Sequence, residues 1–314
     1  MGPTPPLLTL SLLAPAKINL WLWIRNRRAD GYHEIETRLA PLDLCDRLTL
    51  EKMPHLPAGE VRFSCDDASL PGDETNLVVR AVRALEPATG PLPGMGFHLE
   101  KRIPHGAGLG GGSSDAAAAL RLVRAAFRPE LPDSALQQAA AAVGSDVPFF
   151  LLGQVGDATG RGEVVAPVAD AGLGHPAPRV LLVKLPFGIA TPWAYRAWHA
   201  AKAVPGLPYL PQPHPLGLLG NDLECPVFEK FQVLGHLKAA LLAAPGVTAC
   251  LLSGSGSTVF ALLEEEAPLA PIVDAVKAEV GSEVTVLLTR LAPVQHRISV
   301  PADTDSLPAR NIAF

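Results

Sequence analysis

Between a stretch of alternating apolar residues and an alanine-rich segment the chain reads Pro104-His105-Gly106-Ala107-Gly108-Leu109-Gly110-Gly111-Gly112-Ser113-Ser114. Five of the seven residues from Gly106 to Gly112 are glycine. Without Cβ atoms such a backbone can turn sharply and come close to a ligand. Its free N–H groups, together with the N-terminus of the helix that follows, attract a polyphosphate. Ser113 and Ser114 add hydroxyls within reach of a phosphate or a magnesium ion. A plain flexible connector would not need glycines packed this densely against a helix start.

The run is not a P-loop, which requires G-x-x-x-x-G-K-[ST]; no lysine follows these glycines. Gly106, Gly108 and Gly111 do satisfy G-x-G-x-x-G, so a dinucleotide site competes. Its first strand, however, should be a continuous apolar run buried on both faces. Here Phe97–Ile103 places Phe97, Leu99, Lys101 and Ile103 opposite His98, Glu100 and Arg102, the pattern of a strand with one solvated face.

The remaining pattern predicts strands at Leu7–Ile24, Arg47–Glu51, Val61–Cys65, Val180–Leu185, Val247–Ser253, Ser257–Leu263 and Val284–Leu291, and a β ribbon at Gly153–Val165. Helices are expected at Asn76–Leu85, Asp115–Phe127, Ala135–Val143, Pro192–His199, Val227–Ala243 and Pro271–Val280. Strands and helices mixed without a regular β-α-β-α rhythm favour an α+β fold over a doubly wound sheet. Two domains are expected, residues 1–170 and 171–314.

Hydrophobic residues at 48% against 18% charged ones exclude general disorder. A net charge of −5 argues against nucleic acid or an anionic membrane as the main partner. Cys45, Cys65, Cys225 and Cys250 show no metal-binding or disulfide spacing, which points to reduced thiols and a cytoplasmic protein. Leu7–Ala14 imitates a signal-peptide core, but no basic residue precedes it and it runs on into Lys17. No stretch approaches the ~20 apolar residues that span a bilayer. Monomer and homodimer both stay open.

Pro104-x3-Gly108-Leu109-Gly110-x2-Ser113-Ser114 resembles the ATP-binding signature of the galactokinase, homoserine kinase, mevalonate kinase and phosphomevalonate kinase (GHMP kinase) superfamily. Pro15-Ala16-Lys17-Ile18-Asn19-Leu20, followed by Asp30-Gly31-Tyr32-His33-Glu34, is similar to its diphosphocytidyl-methylerythritol branch in particular. Gly144-Ser145-Asp146-Val147-Pro148-Phe149-Phe150, Gly160-Arg161-Gly162-Glu163, Asn221-Asp222-Leu223-Glu224 and Ser253-Gly254-Ser255-Gly256-Ser257-Thr258-Val259-Phe260 fit the same branch in order.

The resemblance implies an N-terminal domain with the ATP loop, a ferredoxin-like C-terminal domain and a cleft between them. It implies ATP-dependent phosphorylation of the 2-hydroxyl of 4-diphosphocytidyl-2-C-methyl-D-erythritol in non-mevalonate isoprenoid synthesis, with ATP as co-substrate and Mg2+ held mainly by phosphates and water. Asp146 takes the base role beside Lys17, and Pro104–Ser114 bind ATP. His33 hydrogen-bonds the cytosine, Tyr32 is a neighbouring wall, Asn19 a polar contact and Phe187 a stacking ring. Gly254, Ser255 and Gly256 face the methylerythritol end. Leu39 stands where some relatives carry an aromatic, so no ring is expected from that side. The alternatives are a sister kinase acting on homoserine or a mevalonate-type alcohol, a dinucleotide-dependent oxidoreductase, and a nucleotide-binding protein without turnover.

Overall fold

Apolar residues at every second position from Leu12 to Ile24 give a strand with one face to bury. The structure, a computed structural model, describes residues 9–169, 171–292, 297–299 and 310–311; Leu7 and Leu8 of the expected first strand lie outside them. Strand β1 (Thr9–Arg27) passes three hydrophobic clusters in turn. Leu12 and Ala14 enter the first, Ala16, Ile18 and Leu20 the second, and Leu22 and Ile24 the third. One strand therefore ties the whole core together.

β1 returns through Arg28–Tyr32 into β2 (His33–Lys52), its antiparallel partner along nearly its full length. The expected strand Arg47–Glu51 is only the last part of this one. Pro41 and Asp43 interrupt the alternation in sequence but not the strand, because Asp43 faces another partner: its carboxylate accepts from the main chain of Arg290 at 2.9 Å and from the Thr289 hydroxyl.

Next come β3 (Val61–Cys65), α1 (Leu77–Thr89), β4 (Met95–Glu100), α2 (Gly111–Phe127), α3 (Asp133–Val143), α4 (Val147–Phe150), β5 (Gly156–Thr159) and β6 (Val164–Pro167). The chain then passes to a second sheet. It contributes β7 (Arg179–Lys184) and α5 (Thr191–Ala197) before the hairpin β8 (Gln212–His214) and β9 (Gly217–Asn221). α6 (Glu224–Lys230), α7 (Gln232–Ala243), β10 (Val247–Leu252), β11 (Thr258–Leu263), α8 (Leu269–Val280), β12 (Thr285–Arg290) and β13 (Arg310–Asn311) follow.

The first sheet runs β3-β4-β2-β1-β9-β8, with β5 and β6 added beyond β2; the second runs β10-β11-β7-β12-β13. β8 and β9 bring the chain back to the first sheet, where β9 pairs parallel with β1 at Trp21↔Gly220 and Leu22↔Asn221. Apart from this pair and β3–β4, the ladders of both sheets are antiparallel. That is an α+β architecture and rules out the doubly wound sheet a dinucleotide fold needs. β4 is half-solvated as its pattern requires, with Phe97 and Leu99 buried and His98 exposed.

Several helix boundaries differ from expectation: α1 runs on through Pro87 to Thr89 instead of ending at Leu85, and two other differences bear on the site. α2 begins at Gly111, inside the glycine run, not at Asp115. The single helix expected over Val227–Ala243 is two, broken at Phe231, whose backbone leaves the helical region at φ −121°, ψ 67°. Its ring stacks on Phe187 with centroids 5.3 Å apart and meets Trp193 edge-on. Ring packing overrides helix continuity here.

Candidate active site

β4 stops at Glu100 because side-chain carboxylates take over the next backbone donors. Lys101 N–H donates to Asp66 at 2.8 Å, and the N–H groups of Arg102 and Ile103 donate to one oxygen of Asp46 at 2.6 and 2.8 Å. The chain is thereby turned into the glycine loop. Ala107 and Leu109 point inward, 2% and 1% exposed, while His105, Gly106 and Gly112 face out. Gly108 sits at φ +77°, and a Cβ on it would lie 2.1 Å from the Ser253 carbonyl oxygen; Gly110, at φ +72°, would strike Phe150 and Lys17. No other residue fits these two positions.

Gly110 is also the N-cap of α2 and offers no side-chain acceptor. The first N–H groups of a 17-residue helix are left for a ligand, at the positive end of its dipole. Ser113 is partly exposed in that first turn. Ser114 is not: it is 1% exposed and its hydroxyl has no partner among the described residues. Beneath the turn lies a buried cluster in which the Lys101 ammonium contacts both Asp46 and, at 3.0 Å, Asp115. Burial pushes the Asp115 carboxyl well up, with Lys101 pulling against it and the Asp46 charge adding to the rise. Burial acts to lower Lys101, but the two acids outweigh it and keep the amine charged.

Lys17 approaches the loop from β1, where register shifts between Pro15 and Lys17 and between Asn19 and Trp21 re-aim the side chains. It is 4% exposed and far from a strand-edge surface lysine. Its ammonium donates to Asn19 Oδ1 at 2.8 Å and to the Gly108 carbonyl at 3.1 Å, and lies 3.5 Å from Asp146 Oδ2. Asp146 is the N-cap of α4 by position, but its side chain makes no capping bond and is 41% exposed. The carboxylate is thus held by Lys17 and open to the cleft. Asn19 stands behind Lys17: it is 3% exposed, and its amide donates to Thr37, which in turn donates to the Trp21 carbonyl at 2.6 Å.

The turn Ser253–Ser257 between β10 and β11 closes on the glycine loop. The Ser253 hydroxyl donates to the Gly108 carbonyl at 2.9 Å, and Thr258 N–H to the Ala107 carbonyl at 3.2 Å. Gly254 faces Lys17 and Asn19, Ser255 exchanges a 2.8 Å hydrogen bond with Thr191, and Gly256 N–H donates to the Ser253 carbonyl at 2.9 Å. The segment is a hairpin turn and a wall of the site at once.

His33, at the start of β2, stacks on Tyr195 of α5 with centroids 5.5 Å apart and meets Trp198 edge-on at 6.0 Å. Burial, aided by the charge of Arg27, lowers its pKa, so the imidazole is neutral at neutral pH. Burial raises the Tyr195 hydroxyl, and the charge of Asp146 raises it further. The ring beside His33 is therefore Tyr195, whereas Phe187 is engaged with Phe231. Tyr195 and Trp198 were not singled out from the sequence; the helix pattern at 192–199 contained them without showing which ring faces residue 33. Tyr32 is 55% exposed, with the Arg161 guanidinium 4.8 Å above its ring, which links the Gly160–Glu163 turn to the same mouth. Leu39 is a core residue, 2% exposed.

A lysine–aspartate pair facing the open N-terminus of a glycine-rich loop and helix defines a small-molecule phosphotransferase of the GHMP class. The models for the GHMP kinases N terminal domain and the GHMP kinases C terminal match residues 76–154 and 214–282. The chain is 41% identical over 272 residues to the 4-diphosphocytidyl-2-C-methyl-D-erythritol kinase of Salinibacter ruber, covering 84% of this chain and 93% of that one. To the enzyme of the same name from a Synechococcus strain it is 37% identical over 302 residues, covering 90% and 94%. A crystal structure of 4-(cytidine 5'-diphospho)-2C-methyl-D-erythritol kinase superposes with a TM-score of 0.68 at 36% identity, covering 89% of this chain and 99% of that one. The chain belongs to the 4-diphosphocytidyl-2-C-methyl-D-erythritol kinase family.

Proposed function

We infer that the protein transfers the γ-phosphoryl group of ATP to the 2-hydroxyl of 4-diphosphocytidyl-2-C-methyl-D-erythritol, a step of non-mevalonate isoprenoid precursor synthesis. The observation that carries this reading is the Lys17 ammonium, which touches the glycine loop through Gly108 and the acceptor side through Asp146. Phosphoryl transfer depends on positioning and charge compensation more than on covalent chemistry. Residues Pro104–Ser114 cradle the ATP phosphates with main-chain donors. The nucleoside end has room in the cavity of about 260 Å³ that flanks Ile103–His105.

Asp146 orients the attacking hydroxyl and accepts its proton. Lys17, 3.5 Å from that carboxylate, holds it in place and offsets negative charge as the phosphoryl group moves. Asn19 acts through Lys17. The neutral His33 offers one N–H donor and one nitrogen acceptor to the cytosine edge, and Tyr32 and Tyr195 supply aromatic surface beside it. Phe187, stacked on Phe231, is the further ring the resemblance offers for the base, and Gly254, Ser255 and Gly256 line the end where the methylerythritol group reacts.

Magnesium bound with ATP would supply charge compensation for the phosphates. Among the described residues no group of three or more His, Cys, Asp or Glu side chains is set to hold a metal ion. Ser113, open in the first turn of α2, fits as its protein contact better than the enclosed Ser114. The four cysteines are free thiols, which suits a reducing cytoplasm, and no helix among the described residues is long and apolar enough to cross a membrane.

A coupled assay of ADP release with magnesium-ATP tests the reading. Turnover is expected with 4-diphosphocytidyl-2-C-methyl-D-erythritol and not with homoserine, mevalonate or no acceptor. Turnover with another alcohol alone would keep the class and overturn the substrate.

A further inference from the structure

Asn221 touches neither ligand site, yet it lies where the strand bearing Lys17 meets the turn that faces it. It ends β9, which is parallel to β1 at Leu22. The next residue fastens the junction: Asp222 N–H donates to the Leu22 carbonyl at 2.9 Å, and its carboxylate accepts from Ile24 N–H at 2.7 Å. The Asn221 side chain is 6% exposed. The amide nitrogen donates to two carbonyls, that of Leu252 at the end of β10 and that of Gly254 in the turn, each at 2.8 Å, while the amide oxygen accepts from Leu223 N–H at 2.9 Å.

The Gly254 carbonyl is not an ordinary anchor point. Gly254 stands so near the reacting groups that a Cβ on it would lie 3.5 Å from Lys17 Nζ, 3.6 Å from Asn19 Oδ1 and 3.5 Å from the Gly108 carbonyl. Where Gly254 sits therefore limits where the Lys17 ammonium can sit, and with it the contact to Asp146. Only an asparagine-like amide supplies two N–H donors and an acceptor at this spot. An aspartate of the same shape would turn a carboxylate toward two carbonyl oxygens and push the turn away.

We propose that Asn221 is a positioning residue for phosphoryl transfer, fixing Gly254 against Lys17 and so holding Lys17 on Asp146. The proposal rests on the kinase reading of the site but not on which alcohol is phosphorylated. It separates turnover from ATP binding, because the main-chain donors at the start of α2 do not depend on Gly254.

The test compares Asn221→Asp and Asn221→Ser with the wild type and with Glu224→Gln. Glu224 is buried, directly follows Leu223 and pairs with Lys238 at 2.7 Å, while its other oxygen accepts from Leu252 N–H at 2.9 Å. A glutamine keeps that backbone bond but leaves Lys238 without its charge partner. It should lower Tm by about 5–10 °C with kcat unchanged when measured well below Tm. Asn221→Asp should lower kcat about 10- to 100-fold, the cost of a reacting group misplaced by about 1 Å, with the Kd for magnesium-ATP within about threefold; the milder serine should fall between it and wild type. If either Asn221 variant folds with wild-type kcat, or if kcat in all three variants merely follows Tm, Asn221 is a stability residue and the proposal fails. The wild-type assay with the acceptor panel judges the function reading separately, since the variant-to-wild-type ratio is read on whichever alcohol is accepted.

Discussion

The two loops that meet at Gly108 are rooted differently. The glycine loop stands on Asp46, Lys101 and Asp115: two acids on one base, all nearly fully buried, with one oxygen of Asp115 lacking a partner among the described residues. The Ser253–Ser257 turn stands on Asn221, Glu224 and Lys238, a balanced set in which the asparagine amide and both glutamate oxygens are engaged. A loop that must present bare N–H groups to a ligand cannot be held by those groups, so it is gripped at its stems by charge. A loop that serves as a wall can be held through its own main chain. The first arrangement is the more fragile, because a single base, Lys101, answers both acids.

Lys101→Met should have the largest effect. It leaves Asp46 and Asp115 facing each other without a counter-charge, at a cost near or above about 5 kcal/mol, the upper end for breaking a buried ion pair, and it frees both stems of the glycine loop. Chemical unfolding and titration with magnesium-ATP should report lost stability and lost binding together. Lys238→Met should cost less, about 3 kcal/mol. It strips the counter-charge from one acid instead of two, and Leu252 N–H still donates to Glu224. Equal losses in the two variants would erase the distinction between the two roots.

The smallest effect belongs to Asp115→Asn. Because the folded protein raises the Asp115 pKa, it binds that proton more tightly than the unfolded chain does. The contribution to stability is complete below the ordinary carboxyl range and is lost as pH rises through the raised value. Asparagine has no proton to lose. The variant should match wild type near pH 4 and gain on it steadily above about pH 5, as read by urea unfolding across pH. Parallel curves would mean that Asp115 is ionised in the fold.

How much of this could be read from the chain depends on how local the cause was. Gly108 and Gly110 are demanded by close approach, and a glycine run announces close approach in sequence. The parity of Phe97–Ile103 put Lys101 on the buried face, where it is, but nothing local could say that its partners are 55 and 14 residues away. β2 was read short because Pro41 and Asp43 answer to neighbours outside the strand. Helix pattern alone ran through Phe231 and could not see that Phe187 claims its ring. The resemblance offered Asn19 as a ligand contact; that its amide also bonds Lys17 and Thr37 is a feature of the fold that no local pattern shows. Tyr195 was missed because its place is set by His33, across two sheets.

The central claim is that Lys17 joins a phosphate-binding loop to a carboxylate that acts on the acceptor. Asp146→Asn tests it most directly, measured as magnesium-ATP affinity and single-turnover phosphoryl transfer on the same preparation. The account predicts ATP affinity within about twofold and transfer slowed about 10²- to 10⁴-fold, the range for a general base. Transfer at the wild-type rate, or a loss of ATP binding as large as the loss of rate, would contradict it.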